Sequence, residues 1–358
     1  GHRVIASPSE WAYLNRPASE LSLAHVQAFD PLPRGLDSAQ VQRVLGSEVT
    51  FWSEHITSGT NLDLMALPRL LAFADVVWGA APRDPRELPR RIARDHQARL
   101  AAMGHTVGPA DRALPRIAVT FDSAARRARW QLTDTLSGMT VRATFDGRTP
   151  DVTARALAPG EALGTRGTAR LQAFVGNGRV LEERLVRTRP HLALGVRPRI
   201  TPAPSESYPG TGAFTLTDGL LGSPAHGDGL WVGWWGPDVE VVIDLSTEQS
   251  LARVAVNFLQ SVRSWILVPT VVGVSWSRDG VTWSEPQLQR HDVPVAREGA
   301  FVESYRFDLP TDARGRFVRL TARNAGLLPP GHPGAGQPSW LFADELIVEG
   351  RGAAGRGR

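Results

Sequence analysis

Residues 49–78 read VTFWSEHITSGTNLDLMALPRLLAFADVVW, and their pattern changes halfway. Val49-Thr50-Phe51-Trp52 is a short β-favouring run. Leu64 to Trp78 carries apolar residues at helical spacing: Leu67, Leu70, Leu71, Ala74, Val77 and Trp78. Pro68 suits the first turn of such a helix, where no backbone donor is missed. Upstream, Val4-Ile5-Ala6 is another strand-like run, and Val41 to Gly46 reads as a helix end closed by glycine. Downstream, Glu87 to Met103 reads as a helix stopped by Gly104. This is α/β grammar. Two such repeats in residues 1 to about 110 leave a parallel sheet open at its edges, whereas a closed eight-unit barrel takes about 250 residues. The segment is therefore expected to be the last quarter of something larger, with apolar edges exposed at 3–6 and 49–52.

From about 114 to 190 the pattern becomes alternation. Arg129 to Leu132, Thr140 to Phe145 and Ala169 to Val175 read as half-buried strands, with Asp146-Gly147 and Gly176-Asn177-Gly178 as turns. A small β-sandwich is expected over 111–195. The proline-rich Val196 to Pro204 marks a linker or the approach to an edge. A second all-β unit follows over 196–350, with runs at Val239 to Leu245, Leu251 to Phe258, Val271 to Trp276 and Arg316 to Thr321. Asp279-Gly280 sits between strand-like runs as a hairpin signal. The Gly-, Ala- and Arg-rich tail 351–358 is expected to be disordered.

The 358 residues leave room for two or three domains, and 42% hydrophobic with 21% charged residues is ordinary for globular protein. There is no cysteine, which excludes disulfides and thiolate metal sites. All 40 basic residues are arginine, scattered among 36 acids apart from short clusters such as Arg126-Arg127. Nucleic-acid binding, which needs a basic stripe or patch, is not expected. No apolar run approaches the roughly 18 residues of a membrane span. Gly1-His2-Arg3 leads straight into the apolar run at Val4, without the pattern of a signal peptide.

Several linked stretches in residues 1–108 resemble the closing strands of a glycoside hydrolase family 20 catalytic barrel. They are Val4-Ile5-Ala6-Ser7-Pro8, Tyr13-Leu14-Asn15, Phe29-Asp30-Pro31, Leu45-Gly46 through Trp52-Ser53-Glu54, and Pro68-Arg69 with Ala72, Ala74 and Trp78. Thr144-Phe145-Asp146-Gly147-Arg148-Thr149-Pro150 looks like the small β-domain that follows chitobiase-type barrels. Leu216-Thr217-Asp218-Gly219-Leu220 and Trp231-Val232-Gly233-Trp234 are similar to galactose-binding-like (discoidin) jelly rolls. The resemblance implies a multidomain chain: the end of a (β/α)8 TIM barrel (1–110), a β-sandwich (111–195) and a β jelly roll (196–350). It implies a β-N-acetylhexosaminidase acting on terminal N-acetylglucosamine or N-acetylgalactosamine of glycans, secreted or periplasmic.

Active sites of such barrels lie at the C-terminal ends of strands. By resemblance, Tyr13 would hydrogen-bond the substrate's acetamido oxygen, the nucleophile in this substrate-assisted exception to the two-carboxylate scheme. Trp52 would wall the pocket around the acetamido group, and Glu54 would bind ring hydroxyls. The family's proton donor belongs to a consecutive Asp-Glu in a His-x-Gly-Gly context after the fourth strand. The sole Asp-Glu here is Asp344-Glu345, outside that context, in the last β-unit. No catalytic role is carried onto it, and the chain alone is expected not to hydrolyse.

Two departures from the family pattern matter. Most members have Asp where Asn15 stands, and Asn15-Arg16 is similar to the lysosomal α-subunit, which accepts a negative group on C6. An amide beside a guanidinium turns repulsion of sulfate into a charge-assisted fork, so a 6-sulfated substrate is expected. The loop after position 16 lacks the usual Trp-Gly, which leaves Trp11 as a candidate wall. Blander readings stand beside these. Trp52 and Glu54 in isolation would be a core indole and a surface acid, and Arg16 a solvated cation. Arg69 and Trp78 read as packing and structural pairing. Trp231, Trp234 and Trp235 read as jelly-roll core rather than a stacking platform. Asp218 beside a glycine is a candidate ligand for a structural calcium, its other ligands not visible; no other cofactor is expected. His226, His291 and His332 lack metal-ligand spacing and read as solvated. The competing reading is a non-enzymatic glycan-binding or scaffolding module.

Overall fold

The computed structural model describes residues 2–32, 34–52, 56, 58–79, 84, 86–111, 116–132, 138–164, 166–179, 181, 183–291, 293–294, 297 and 299–352. Most of the expected tail, 353–358, lies outside them.

The opening segment runs β1 (Val4–Ala6), α1 (Ser9–Ala12), α2 (Leu23–Gln27), α3 (Ser38–Val41), β2 (Val44–Ser47), α4 (Gly59–Ala66), α5 (Arg69–Trp78) and α6 (Glu87–Arg91). A π-helical turn at Ile92–His96 joins α6 to α7 (Gln97–Ala102), and Gly104 follows at φ +87°. β1 and β2 pair in parallel, with Val4 opposite Val44 and Ala6 opposite Ser47. Three expectations need correction. Gly46 is not a helix cap but part of β2, because the Asp37 capping box starts a helix only four residues long. The second strand is therefore 44–47 rather than 49–52. The backbone of Thr50 is spent elsewhere: its carbonyl accepts from Leu14 N (3.1 Å) and its N–H donates to the Ala12 carbonyl (2.9 Å). The single helix expected over 64–78 is two, α4 and α5. Pro68 has no N–H to continue the ladder of α4, Leu67 before it is extended (ψ 137°), and the chain restarts from Pro68 as the N-cap of α5.

One face of α5 (Ala72, Phe73, Val76) packs on Ala12, Leu14, Leu21, Val26 and Phe29. Val4 and Ile5 are 51–53% exposed, as expected of the 3–6 edge; in 49–52 only Trp52 is as open, and the other exposed apolar residue of this sheet is Leu45 of β2 at 58%. Among the described residues β1 and β2 are the whole of the parallel sheet; no barrel is present, and the chain is mostly β.

The middle unit comprises β3 (Ile117–Asp122), β4 (Arg127–Leu132), β5 (Met139–Thr144), β6 (Arg155–Ala156), β7 (Gly167–Val175), β8 (Gly178–Arg179) and β9 (Arg184–Thr188). The β3–β4 hairpin packs on the β5–β7–β9 sheet around Trp130, Val141, Leu171 and Val186, and Leu64 of α4 enters the same core.

The last unit comprises β10 (Arg199–Thr201), β11 (Leu220–Leu221), β12 (Val232–Trp235), β13 (Val239–Ser261), β14 (Val271–Ser277), β15 (Gln287–Arg290), β16 (Ala300–Asp308), β17 (Arg314–Arg323) and β18 (Trp340–Gly350). β13 is long enough to serve two sheets. Val239 to Asp244 pair with β17, Arg253 to Ser261 pair with β16, and Leu251 to Phe258 face β18. The pattern is a β-sandwich whose core includes Trp234, Ile243, Val256, Phe307 and Leu346. The proline-rich approach holds an edge strand, β10, antiparallel to β13. Side chains cross the expected border near 195 in both directions. β11 pairs with β9, Leu220 and Leu230 enter the middle core, and Ala193 enters the sandwich core.

Candidate functional site

The turn after α1 brings the candidate residues together. Tyr13 forms a single parallel bridge with Thr50, which places Trp52 beside it: the two rings lie 6.3 Å apart at 39°. Trp52 is 50% exposed, so one indole face is open to solvent. Asn15 follows two residues on, and its Oδ1 is buried without a hydrogen-bond partner. Ser7 Oγ, Ser47 Oγ and Thr50 Oγ1 share that state. Ser7 follows β1 and Ser47 ends β2, so unpartnered polar atoms gather where two strands finish. An unmet buried polar atom costs about 1–3 kcal/mol, and such a group is expected to find a partner when the site is filled.

Arg16 turns outward and donates through Nη2 to Glu20 Oε2 at 2.9 Å, an i,i+4 pair on the surface. Glu54 lies outside the described residues. Trp11 is not a free pocket wall: it stacks on His25 at 4.1 Å and on Phe29 at 5.9 Å, and His25 Nε2 donates to the Glu10 carbonyl.

Beneath the turn lies Arg69, 1% exposed. Its Nη1 donates to the carbonyls of Arg16 (2.8 Å) and Leu21 (3.0 Å), and its Nη2 to those of Leu14 (2.6 Å) and Met65 (2.5 Å). Burial holds its pKa down at about 10. The structural-pairing reading of Arg69 is what the geometry shows, with backbone carbonyls as the partners.

The last unit carries two further features. Of the three neighbouring tryptophans, Trp231 and Trp234 are core, but Trp235 is 38% exposed. Trp235 stacks on Trp265 at 5.7 Å and 27° and meets the edge of Trp340 at 5.0 Å, with Tyr208 behind Trp340 at 5.1 Å. The end of β12, the turn after β13 and the start of β18 thus build an aromatic platform at one end of the sandwich. Sequence reasoning missed Trp265 and Trp340. The available signal was strand alternation, which puts the adjacent Trp234 and Trp235 on opposite faces. His332 is anchored rather than solvated, its Nε2 donating to the Val262 carbonyl at 2.8 Å and its Nδ1 accepting from Gly334 N.

The second feature is a buried carboxylate group between the middle unit and the sandwich. Asp344 and Glu345 are fully buried, far from the chemistry a catalytic pair would need. Asp218 and Glu345 lie within hydrogen-bond reach of each other, and burial pushes both carboxyls well above the usual range, each reinforced by a neighbouring carboxylate. His191 Nε2 is 2.5 Å from Glu345 Oε1; burial holds the imidazole down at about 4, so it stays neutral. Glu345 Oε2 has no partner. Among the described residues no set of three or more His, Asp or Glu side chains is placed to hold a metal. Asp218 does not fit the expected role of calcium ligand: its Oδ1 and Oδ2 accept from Leu220 N and Thr211 Oγ1, Glu345 Oε1 accepts from Gly219 N, and the one oxygen left free is far short of a calcium ion's oxygen shell.

Residues 1–81 match the family described as glycosyl hydrolase family 20, catalytic domain. A beta-hexosaminidase of Porphyromonas gingivalis is 35% identical over 71 residues, covering 20% of this chain and 9% of that protein. A beta-N-acetylhexosaminidase of Cellulomonas fimi is 36% identical over 94 residues, 24% of this chain and 19% of that protein. The match thus spans less than a fifth of either relative's length. Among solved structures, the C-terminal domain of a chitobiase from Bacteroides fragilis covers 43% of this chain and 93% of its own at 18% identity and a TM-score of 0.25. A fucose binding module of Streptococcus pneumoniae covers 45% and 97% at 14% identity and a TM-score of 0.29. The family match falls on the segment that carries Tyr13, Asn15, Trp52 and Arg69, so the opening 81 residues are similar to a portion of a glycosyl hydrolase family 20 catalytic domain.

Proposed function

We propose that this chain supplies one wall of the substrate pocket of a β-N-acetylhexosaminidase, an enzyme that removes terminal N-acetylhexosamine from glycans outside the cytoplasm. In this reading residues 1–110 end a (β/α)8 barrel, 111–195 form the adjoining β-sandwich, and 196–350 a jelly roll. The observation that carries it is the meeting of Tyr13, the open face of Trp52 and the unpartnered Asn15 Oδ1 at the finish of two parallel strands. Tyr13 Oη donates to the acetamido oxygen as that oxygen attacks the anomeric carbon, and Trp52 packs against the acetamido group. Glu54 binds ring hydroxyls. The residues that donate and withdraw the leaving-group proton are not among these, since the chain has no His-x-Gly-Gly-Asp-Glu sequence.

Asn15-Arg16 adds a preference for 6-sulfated sugar. Glu20 occupies the Arg16 fork, but an exposed pair of this kind is worth only ~0–1 kcal/mol, so a sulfate can displace it. The test is kinetics on the whole protein that carries this chain, with aryl N-acetyl-β-glucosaminide and its 6-sulfate. Tyr13→Phe is expected to lower kcat roughly 10²-fold, the scale for one donor aimed at a reacting oxygen. Arg16→Ala is expected to lower turnover of the sulfated substrate alone. Unchanged kcat in Tyr13→Phe would remove the residue from the mechanism.

The Trp235–Trp265–Trp340 platform favours a second, accompanying reading: the jelly roll holds glycan by stacking, which keeps the chain near its substrate.

A further inference from the structure

We infer that Arg69 is a positioning residue for the sugar pocket, fixing the Leu14–Asn15 and Arg16–Pro17 peptides that bracket Asn15 by gripping the carbonyls of Leu14 and Arg16. The inference rests on the pocket reading above and assigns the residue that holds the pocket in shape. Arg69 is the first residue of α5, one helical turn beyond Met65 of α4. Its guanidinium is buried, and among the described residues every acceptor it uses is a main-chain oxygen. Nε and Nη2 share the Met65 carbonyl, left free by the early end of α4, while the two Nη groups reach Leu14, Arg16 and Leu21.

The planar fork suits this task. Five N–H groups in fixed directions meet four carbonyls from two separate stretches of chain, which the three donors of a lysine on one nitrogen cannot match. At a pKa of about 10 the group remains charged at neutral pH, so its donors stay complete. The remaining backbone ties of the turn, among the described residues, run from Leu14 N to the carbonyls of Ala12 and Thr50, from Arg16 N to that of Tyr13, and from Glu20 N and Leu21 N to that of Pro17. With the carbonyls of residues 14 and 16 drawn inward, the Asn15 side chain is confined between two pinned peptides, and its unpartnered oxygen is held ready for a ligand hydroxyl.

The test uses the 358-residue chain with Arg69→Lys and Arg69→Met. Amide hydrogen exchange is read at Leu14, Arg16 and Leu21, with Leu171 of β7 as internal reference, and affinity is measured for methyl N-acetyl-β-glucosaminide. Arg69→Lys is expected to speed exchange at the three amides at least about tenfold and to weaken sugar binding by a similar factor, with Leu171 unchanged. Unchanged exchange overturns the inference, as does faster exchange with affinity within about twofold of the parent. If Arg69→Met fails to fold its segment, Arg69→Lys still decides. A parent chain that binds no glycoside refutes the pocket reading instead, and Arg69 then stands or falls on the exchange rates.

Discussion

Replacing Trp52 with alanine separates a pocket wall from a packing residue. A tryptophan side chain buries about 150–250 Å² when covered, and Trp52 is 50% exposed, so roughly 100 Å² of indole remains in water. A sugar whose acetamido group and adjoining ring cover that area gains about 2.5 kcal/mol at ~25 cal/mol per Å². That corresponds to roughly 60-fold in Kd, reduced toward about tenfold by the cost of ordering ligand and side chain. Trp52→Ala is therefore expected to weaken methyl N-acetyl-β-glucosaminide about 10- to 60-fold by isothermal titration. The melting temperature should move little, because the ring's packing is a tilted contact with Tyr13 rather than a place in the core. Trp52→Phe should keep part of the affinity. A Kd within twofold of the parent in Trp52→Ala would refute the reasoning, and a large drop in melting temperature would return the residue to the core.

The other predictions concern the last unit. Burial holds the Asp344 carboxyl up at about 7, above its unfolded value. The folded state thus binds the extra proton, and this contribution is complete below about pH 4 and lost as pH rises through 7. The stability of the parent relative to Asp344→Asn should fall between about pH 4 and 7, and a flat difference would contradict the assignment. His191 acts in the opposite sense between about pH 4 and 6.5 and equally in both proteins, whereas Glu345, raised in part by Asp344, relaxes in the variant and adds to the difference. Gly233→Ala should cost about 1–3 kcal/mol, because its Cβ would come within 2.5 Å of the buried Phe342 ring; chemical denaturation monitored by near-UV circular dichroism reads the loss.

Periodicity and turn chemistry carried much of the fold. The runs around Trp130, Val141 and Leu171 alternate with period two, and the structure has strands there. In the opening segment, local signals competed. The β-branched residues at 49–50 looked like the second strand, but β1 is only three residues long and pairs with Val44–Ser47 instead. Pro68 was compatible with one helix or two, and the free Met65 carbonyl met by Arg69 favours two. For the site, adjacency in sequence could group Tyr13, Asn15 and Arg16, and the Trp52 contact needed the Thr50 bridge. The aromatic platform was illegible for the same reason: Trp235, Trp265 and Trp340 come from two strand ends and a turn, far apart in sequence, that only the sandwich brings together. Arg69 carried a structural expectation, but nothing in sequence announces that a guanidinium will collect carbonyls from residues some 50 positions away.

The pocket itself is tested most directly by mapping a sugar onto the chain. Methyl N-acetyl-β-glucosaminide is titrated into the isotopically labelled protein, and amide and side-chain shifts are followed by NMR. The account predicts that the largest shifts fall on Tyr13, Asn15, Arg16 and the Trp52 indole. Shifts confined to Trp235, Trp265 and Trp340 would contradict it, leaving a chain that binds glycan only through its jelly roll.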